Sequence, residues 1–149
     1  KEKKPDSITE LLLYAADRAQ HVNEVIRPSL NKGDWVISDR FTGSTLAYQG
    51  YGRKLNIKLI KELEIIATQG ISPDITFLLD IPVDESIKRR ISRKEDRIEQ
   101  EGRLFLSNVS LGFKELSKDK KWKKISAIKS QNEIMYEIQS EINKLLKNK

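Results

Sequence analysis

Apolar residues recur at helical spacing over the first part of the chain, through Leu12, Ala15, Ala19, Val22 and Ile26, which predicts an amphipathic helix. Pro5-Asp6-Ser7 followed by Glu10 supplies its start, with Ser7 as N-cap and Glu10 three residues on in the capping-box position. Pro28 removes a backbone donor and crowds the preceding turn, so it is expected to kink or end this helix. Gly33, within Asn31-Lys32-Gly33-Asp34, is the expected left-handed cap. The pattern then changes. Trp35-Val36-Ile37-Ser38 reads as a short buried strand, and after a polar stretch over 39–50, Asn56 caps a second helix through Ile57, Leu59, Ile60, Leu63 and Ile66 to Gly70.

Ser72-Pro73-Asp74 marks a turn, and the near-continuous apolar run Ile75–Asp80 predicts a strand covered on both faces, as in a parallel sheet. Asp84 is expected to cap a helix through Ile87 and Ile91, giving way to an arginine-rich segment from Arg89 to Arg97. A further amphipathic helix is expected from about Glu101 to Leu116, a short strand over Lys124–Ile128, and a terminal helix from Gln131 to Leu146. Helices alternating with strands predict an α/β, doubly wound layout with at least three parallel strands. We find no internal repeat or low-complexity linker, so residues 1–149 read as a single domain.

Composition narrows the function classes. With 38% apolar and 34% charged residues, the sequence is that of a well-solvated globular domain. No run approaches the ~20 apolar residues of a membrane-spanning helix, and no signal peptide is visible. The absence of cysteine excludes disulfides and thiol chemistry and agrees with a cytoplasmic location. A net charge of +6 brings nucleic acid into consideration. The basic residues are dispersed, however, apart from Lys118, Lys120, Lys121, Lys123 and Lys124, which read as a solvated turn.

Three groups of residues could carry chemistry. Asp39-Arg40-Phe41-Thr42-Gly43-Ser44-Thr45-Leu46-Ala47-Tyr48-Gln49-Gly50 follows the first expected strand, where ligands bind in open α/β sheets. Asp39 offers a carboxylate for a metal's water shell and Arg40 a planar fork for phosphate oxygens; hydroxyls and an amide follow within one or two turns. Tyr14 and Arg18 lie four apart on the first helix and share a face, read as separate from the apolar stripe. They can stack on a planar base and hydrogen-bond its oxygen, although taken alone the pair is better described as a half-buried tyrosine and a solvated arginine. The third group is Arg89-Arg90-Ile91-Ser92-Arg93-Lys94-Glu95-Asp96-Arg97-Ile98-Glu99-Gln100-Glu101, either a solvated helix end or a source of charge for phosphoryl transfer.

Taken together, Leu-Leu-Leu-Tyr-Ala-Ala-Asp-Arg-Ala-Gln-His, the Asp39–Gly50 stretch and Asp-Arg-Ile-Glu-Gln-Glu resemble the bacterial thymidylate kinase family over essentially all 149 residues. The resemblance implies a P-loop-kinase-like parallel sheet flanked by helices. It also implies transfer of the terminal phosphate of ATP to dTMP, giving dTDP and ADP, with Mg²⁺. By resemblance, Tyr14 stacks on thymine, where the family more often has Phe, and Arg18 reaches its carbonyl oxygen. Arg40 holds the acceptor phosphate, and Asp39 lies near the magnesium ion and the reacting oxygens, with the metal's ligand set unassigned. Ser44 and Gln49 contact the thymine and deoxyribose region with Thr45 alongside, and Tyr48 packs against the sugar, disfavouring a 2′-hydroxyl. The segment at about 89–101 corresponds to a lid whose Arg93 and Arg97 serve the donor phosphates, while Arg89 and Arg90 support the helix. The family implies a homodimer, while the composition leads us to expect a cytoplasmic location and neither nucleic acid nor membrane as a partner. His21 reads as an ordinary surface histidine.

One motif is missing. Gly-x-x-x-x-Gly-Lys-[Ser/Thr], whose amides cradle donor phosphates, does not occur in these residues. The chain begins at Lys1, and Met135 is its only methionine. The expectation is therefore a chain lacking the N-terminal segment with the phosphate loop and the central first strand, inactive as it stands. A related kinase with another acceptor, or a basic nucleic-acid-binding protein, are the alternatives: the first is disfavoured by Tyr14, Arg18 and Ser44, and the second would show salt-dependent DNA affinity.

Overall fold

The structure is a computed structural model, and it describes residues 4–90 and 101–147. Helix α1 (Ser7–His21) starts one residue earlier in its cap than the spacing suggests. Asp6 is the N-cap, its carboxylate accepting from the amides of Ile8 and Thr9 at 2.9 and 3.0 Å. This frees Glu10, which turns inward and is buried. The buried stripe is likewise Leu11, Ala15, Val22 and Ile26, and Leu12 faces out at 53% exposure. The helix does not end at Pro28. It passes through a π-helical segment (Val22–Ile26) into α2 (Arg27–Asn31), the wider turn accommodating a residue with no amide to donate. Gly33 has the expected left-handed backbone, φ +81°.

Residues 34–38 form no strand. An apolar run becomes a strand only where a neighbour takes up its backbone groups. Trp35–Ser38 pairs with none among the described residues, leaving Trp35 64% and Ile37 94% exposed. Helix α3 (Thr42–Thr45) follows and opens into a second π-helical segment (Leu46–Gly52). Helix α4 (Ile57–Thr68) is capped by Asn56, as expected, and closed by Gln69 in the left-handed region.

Strands β1 (Thr76–Asp80) and β2 (Trp122–Ser126) pair in parallel, Thr76 opposite Trp122 and Asp80 opposite Ser126. Among the described residues the sheet has these two strands, where three were expected. The β1 run is not covered on both faces either, since Leu79 is 49% exposed. β2 begins two residues before the expected strand because the Thr76 amide bonds the Lys121 carbonyl, which fixes the register. Between the strands lie α5 (Val83–Arg90) and α6 (Arg103–Leu116). Asp84 falls inside the first turn of α5 and pairs with Arg103. Helix α7 (Gln131–Lys147) is started by Ser130 and Glu133, each accepting from the other's amide.

The core sits among the helices. Leu11, Leu46 and Ile60 form one buried cluster, and Ala47, Phe105 and Val109 another, bridged by Leu116. Close approach of α6 to the Leu46–Gly52 segment depends on glycine at two points: a Cβ on Gly52 would lie 2.6 Å from the Phe105 ring, and one on Gly112 2.7 Å from the Tyr51 ring. This packing fixes the polar stretch over 39–52 against α1, α4 and α6.

Candidate functional site

Arg18 is not a solvated residue on a free face. It lies on the inner side of α1, and its side chain is 13% exposed. Its Nε sits 3.0 Å from the Glu64 carboxylate of α4, and its Nη2 donates to the Thr45 hydroxyl at 2.8 Å. The guanidinium also lies over the Phe41 ring, 5.1 Å from its centroid, a stacked arrangement that favours a planar cation. Three chain segments therefore meet on one side chain. Tyr14, a turn away, keeps its ring at the surface with 38% exposure.

Thr45 and Glu64 are buried, and the two Glu64 oxygens make no hydrogen bond although one is in close charge contact with Arg18. Burial pushes the Glu64 carboxyl above the usual glutamate range, opposed by the Arg18 charge and then by the Thr45 hydroxyl.

Arg40 and Asp39 lie exposed at the start of the same stretch. Arg40 has φ +70°, a left-handed backbone in a residue other than glycine, and the Ser38 hydroxyl donates to its carbonyl at 2.9 Å. Strain of this kind concentrates at functional positions. Its guanidinium lies 5.1 Å from the centroid of Tyr48. Tyr48 is half-buried and packs against Phe105 and Phe113 of α6, at 6.2 and 6.1 Å between ring centroids. Ser44 is half-buried.

Gln49 is directed inward. It is 2% exposed and donates through Nε2 to Glu10 at 2.9 Å. Glu10 also receives Arg53, from Nε at 3.3 Å and Nη2 at 3.2 Å, and Arg53 continues to Glu101 at 2.9 Å. The Arg53 guanidinium lies 4.8 Å from the Phe105 ring centroid. The Glu101 hydrogen bond raises the Arg53 pKa further above its already high value, and the same bond holds Glu101 below the usual glutamate range.

The structure thus brings Arg18, Phe41 and Thr45 together, and Arg40 with Tyr48. Arg93 and Arg97 lie outside the described residues, as does most of the expected lid. Glu10, Arg53 and Glu64 escaped the sequence reading. A carboxylate in the otherwise apolar Leu63-Glu64-Ile65-Ile66 run was the available signal for Glu64.

Among the described residues no three His, Cys, Asp or Glu side chains cluster as metal ligands. Magnesium bound through phosphates and waters needs only one or two carboxylates, and exposed Asp39 fits that mode. Two open depressions of about 360 and 330 Å³ lie along α7 and between α7 and β2, and no expected site residue lines either.

A family model described as Thymidylate kinase matches residues 1–138. Proteins named thymidylate kinase from Prochlorococcus marinus strains NATL2A and NATL1A are 76% and 77% identical over 148 residues, covering 99% of this chain and 70% of theirs. One of the same name from Synechococcus sp. strain CC9311 is 57% identical over 136 residues, covering 91% of this chain and 64% of its own.

Proposed function

From the premise that this chain belongs to the thymidylate kinase family, with its P-loop kinase fold and dTMP-phosphorylating activity, we propose that its helical half is the acceptor face. The observation carrying this reading is the convergence of Arg18, Phe41 and Thr45 beside Arg40 and Tyr48, a fork and ring surfaces for a base next to a fork for a phosphate. Tyr14 and Arg18 take the thymine, Ser44 and Thr45 line the base and sugar region, and Tyr48 bounds the sugar. Gln49 acts from behind, through Glu10.

ATP is the phosphoryl donor. An oxygen of the dTMP phosphate forms a bond to the terminal phosphorus of ATP, the bond to ADP breaks, and dTDP and ADP result. Arg40 offsets the repulsion between the two phosphate groups at approach, which is mostly a matter of positioning and electrostatics. When bound, Mg²⁺ would be held near Asp39 and would draw charge from the phosphate oxygens. Arg93 and Arg97 supply positive charge on the donor side, in a single domain with its lid at about 89–101.

A homodimer is proposed as well, with Leu12, Leu13, Ile65 and Ile66 providing exposed apolar surface. A cytoplasmic location without nucleic-acid binding completes the reading. Lys118, Lys123 and Lys124 pair with Glu115, Glu141 and Asp80, which lessens the basic cluster's appeal to a polyanion, and among the described residues no helix is long and apolar enough to cross a membrane.

The test exchanges this chain for its aligned counterpart in the 77% identical relative and measures dTMP-dependent ADP formation. Activity that falls at least about a hundredfold with Arg40→Ala, as expected on losing a fixed charge at the reacting phosphates, supports the assignment. An exchange protein indifferent to Arg40→Ala refutes it.

A further inference from the structure

Glu64 has a costly position that the fold does not require. The residue is 4% exposed, neither carboxylate oxygen makes a hydrogen bond, nor does the Arg18 Nε facing it, and burial raises the Glu64 pKa. For stability alone a well-packed apolar residue would serve as well or better there, and a buried polar group without hydrogen bonds calls for an explanation. Its contact supplies one, because Glu64 faces Arg18 Nε at 3.0 Å while Thr45 takes Nη2 at 2.8 Å. The Phe41 ring lies against the face of the guanidinium. A planar fork bonded to Thr45, drawn toward Glu64 by charge and stacked on one face is restricted in its rotation. Its remaining nitrogen, Nη1, takes no partner among the described residues and is not sealed from solvent.

We propose that Glu64 is a positioning residue that sets base specificity: it fixes Arg18 so that Nη1 meets a carbonyl oxygen on the base, favouring thymine over cytosine. This rests on the acceptor reading above. The Glu64 carboxylate lies 3.0 Å from Nε and attracts the guanidinium through charge, without a hydrogen bond, which draws that edge of the fork inward. The two bases differ at that ring position, carbonyl in thymine and amino in cytosine. A fixed N–H donor meets the carbonyl as a partner and the amino group as a second donor, and a mismatch of that kind leaves both unpaired. A glutamine at position 64 presents either an acceptor or a donor, so the fork loses its anchor while side-chain volume is kept.

The test is calorimetric titration of dTMP and dCMP into the full 149-residue chain, into Glu64→Gln, Arg18→Ala and the double variant, each first shown to unfold cooperatively. The parent should prefer dTMP. Glu64→Gln should cut that preference about tenfold, the order expected when a designed hydrogen bond is loosened, mainly by weakening dTMP. On the Arg18→Ala background the same substitution should change the preference less than about twofold, because nothing remains to be positioned. Glu64→Asp keeps the charge on a shorter stem and should fall between parent and Gln, which keeps the proposal testable if Gln does not fold. An unchanged preference in Glu64→Gln or Glu64→Asp, or equal losses with and without Arg18, would overturn the role of Glu64. A parent chain without preference for dTMP would instead overturn the acceptor reading itself.

Discussion

The helical half of the chain and its strand-bearing half handle charge in opposite ways. In α1, the 39–52 stretch, α4 and the start of α6, Glu10, Gln49, Thr45 and Glu64 are buried, and each partner of the two arginines is engaged from a different element. In β1, β2 and α7 the ion pairs are at the surface, Lys124 to Asp80 and Lys129 to Glu137, and α7 contributes no buried residue. Ile125 is the single buried hydrophobic residue that the described strands provide. Buried pairs transmit a change at one side chain to all of its neighbours, because an unpaired buried charge is costly. Solvated pairs are screened and independent. A binding face that must hold forks and rings in one geometry is better placed in the first kind of environment.

Arg53→Ala should give the largest effect, because it removes the Arg53 charge from buried Glu10 and releases Glu101. A loss of about 3–5 kcal/mol is expected in urea unfolding, the usual cost of breaking a buried pair. A loss under 1 kcal/mol, on the order of a surface pair, would erase the contrast between the halves. Arg18→Ala should weaken dTMP binding by roughly 1.5–3 kcal/mol, as for a hydrogen bond to a charged group, while ATP affinity in the exchange protein barely changes. Equal losses for both nucleotides would move Arg18 out of the acceptor face.

Two glutamates of the helical half should respond to pH with opposite sign. Glu64 binds its proton more tightly folded than unfolded, so its contribution to stability declines as pH rises from the usual glutamate value through its raised one. Glu101 is depressed, so its contribution is present above the usual value and is lost as pH falls through the lowered one. Unfolding free energies of Glu64→Gln and Glu101→Gln against pH should deviate from the parent on opposite sides of the ordinary glutamate range. In the other half, Lys124→Ala should stay within about 0.5 kcal/mol of the parent in the same unfolding assay. A larger loss would mean that the pairing with Asp80 is not screened.

Helices were legible where spacing and caps agree, as in α4 with its Asn56 cap. The α1 stripe was read one residue out of place at Leu12, because Leu11-Leu12-Leu13 offers three candidate positions and only tertiary packing chooses Leu11. Trp35–Ser38 shows why a strand is harder to read: its stability depends on a neighbour that a local pattern cannot supply. The residues proposed for the site, Tyr14, Arg18 and Arg40, were nameable from their types and spacing. What supports them was not. Glu64, Glu10 and Arg53 act across sequence separations of 46, 39 and 43 residues, and for Glu10 and Arg53 nothing local marks that long-range pairing.

The claim that the helical half is the acceptor face can be tested most directly by titrating dTMP into isotope-labelled protein and following backbone amide resonances. The account predicts saturable shifts over Tyr14–Arg18 and Arg40–Gln49, with α7 silent. Shifts centred on Tyr136 or Lys144, or none at saturating dTMP, would contradict it.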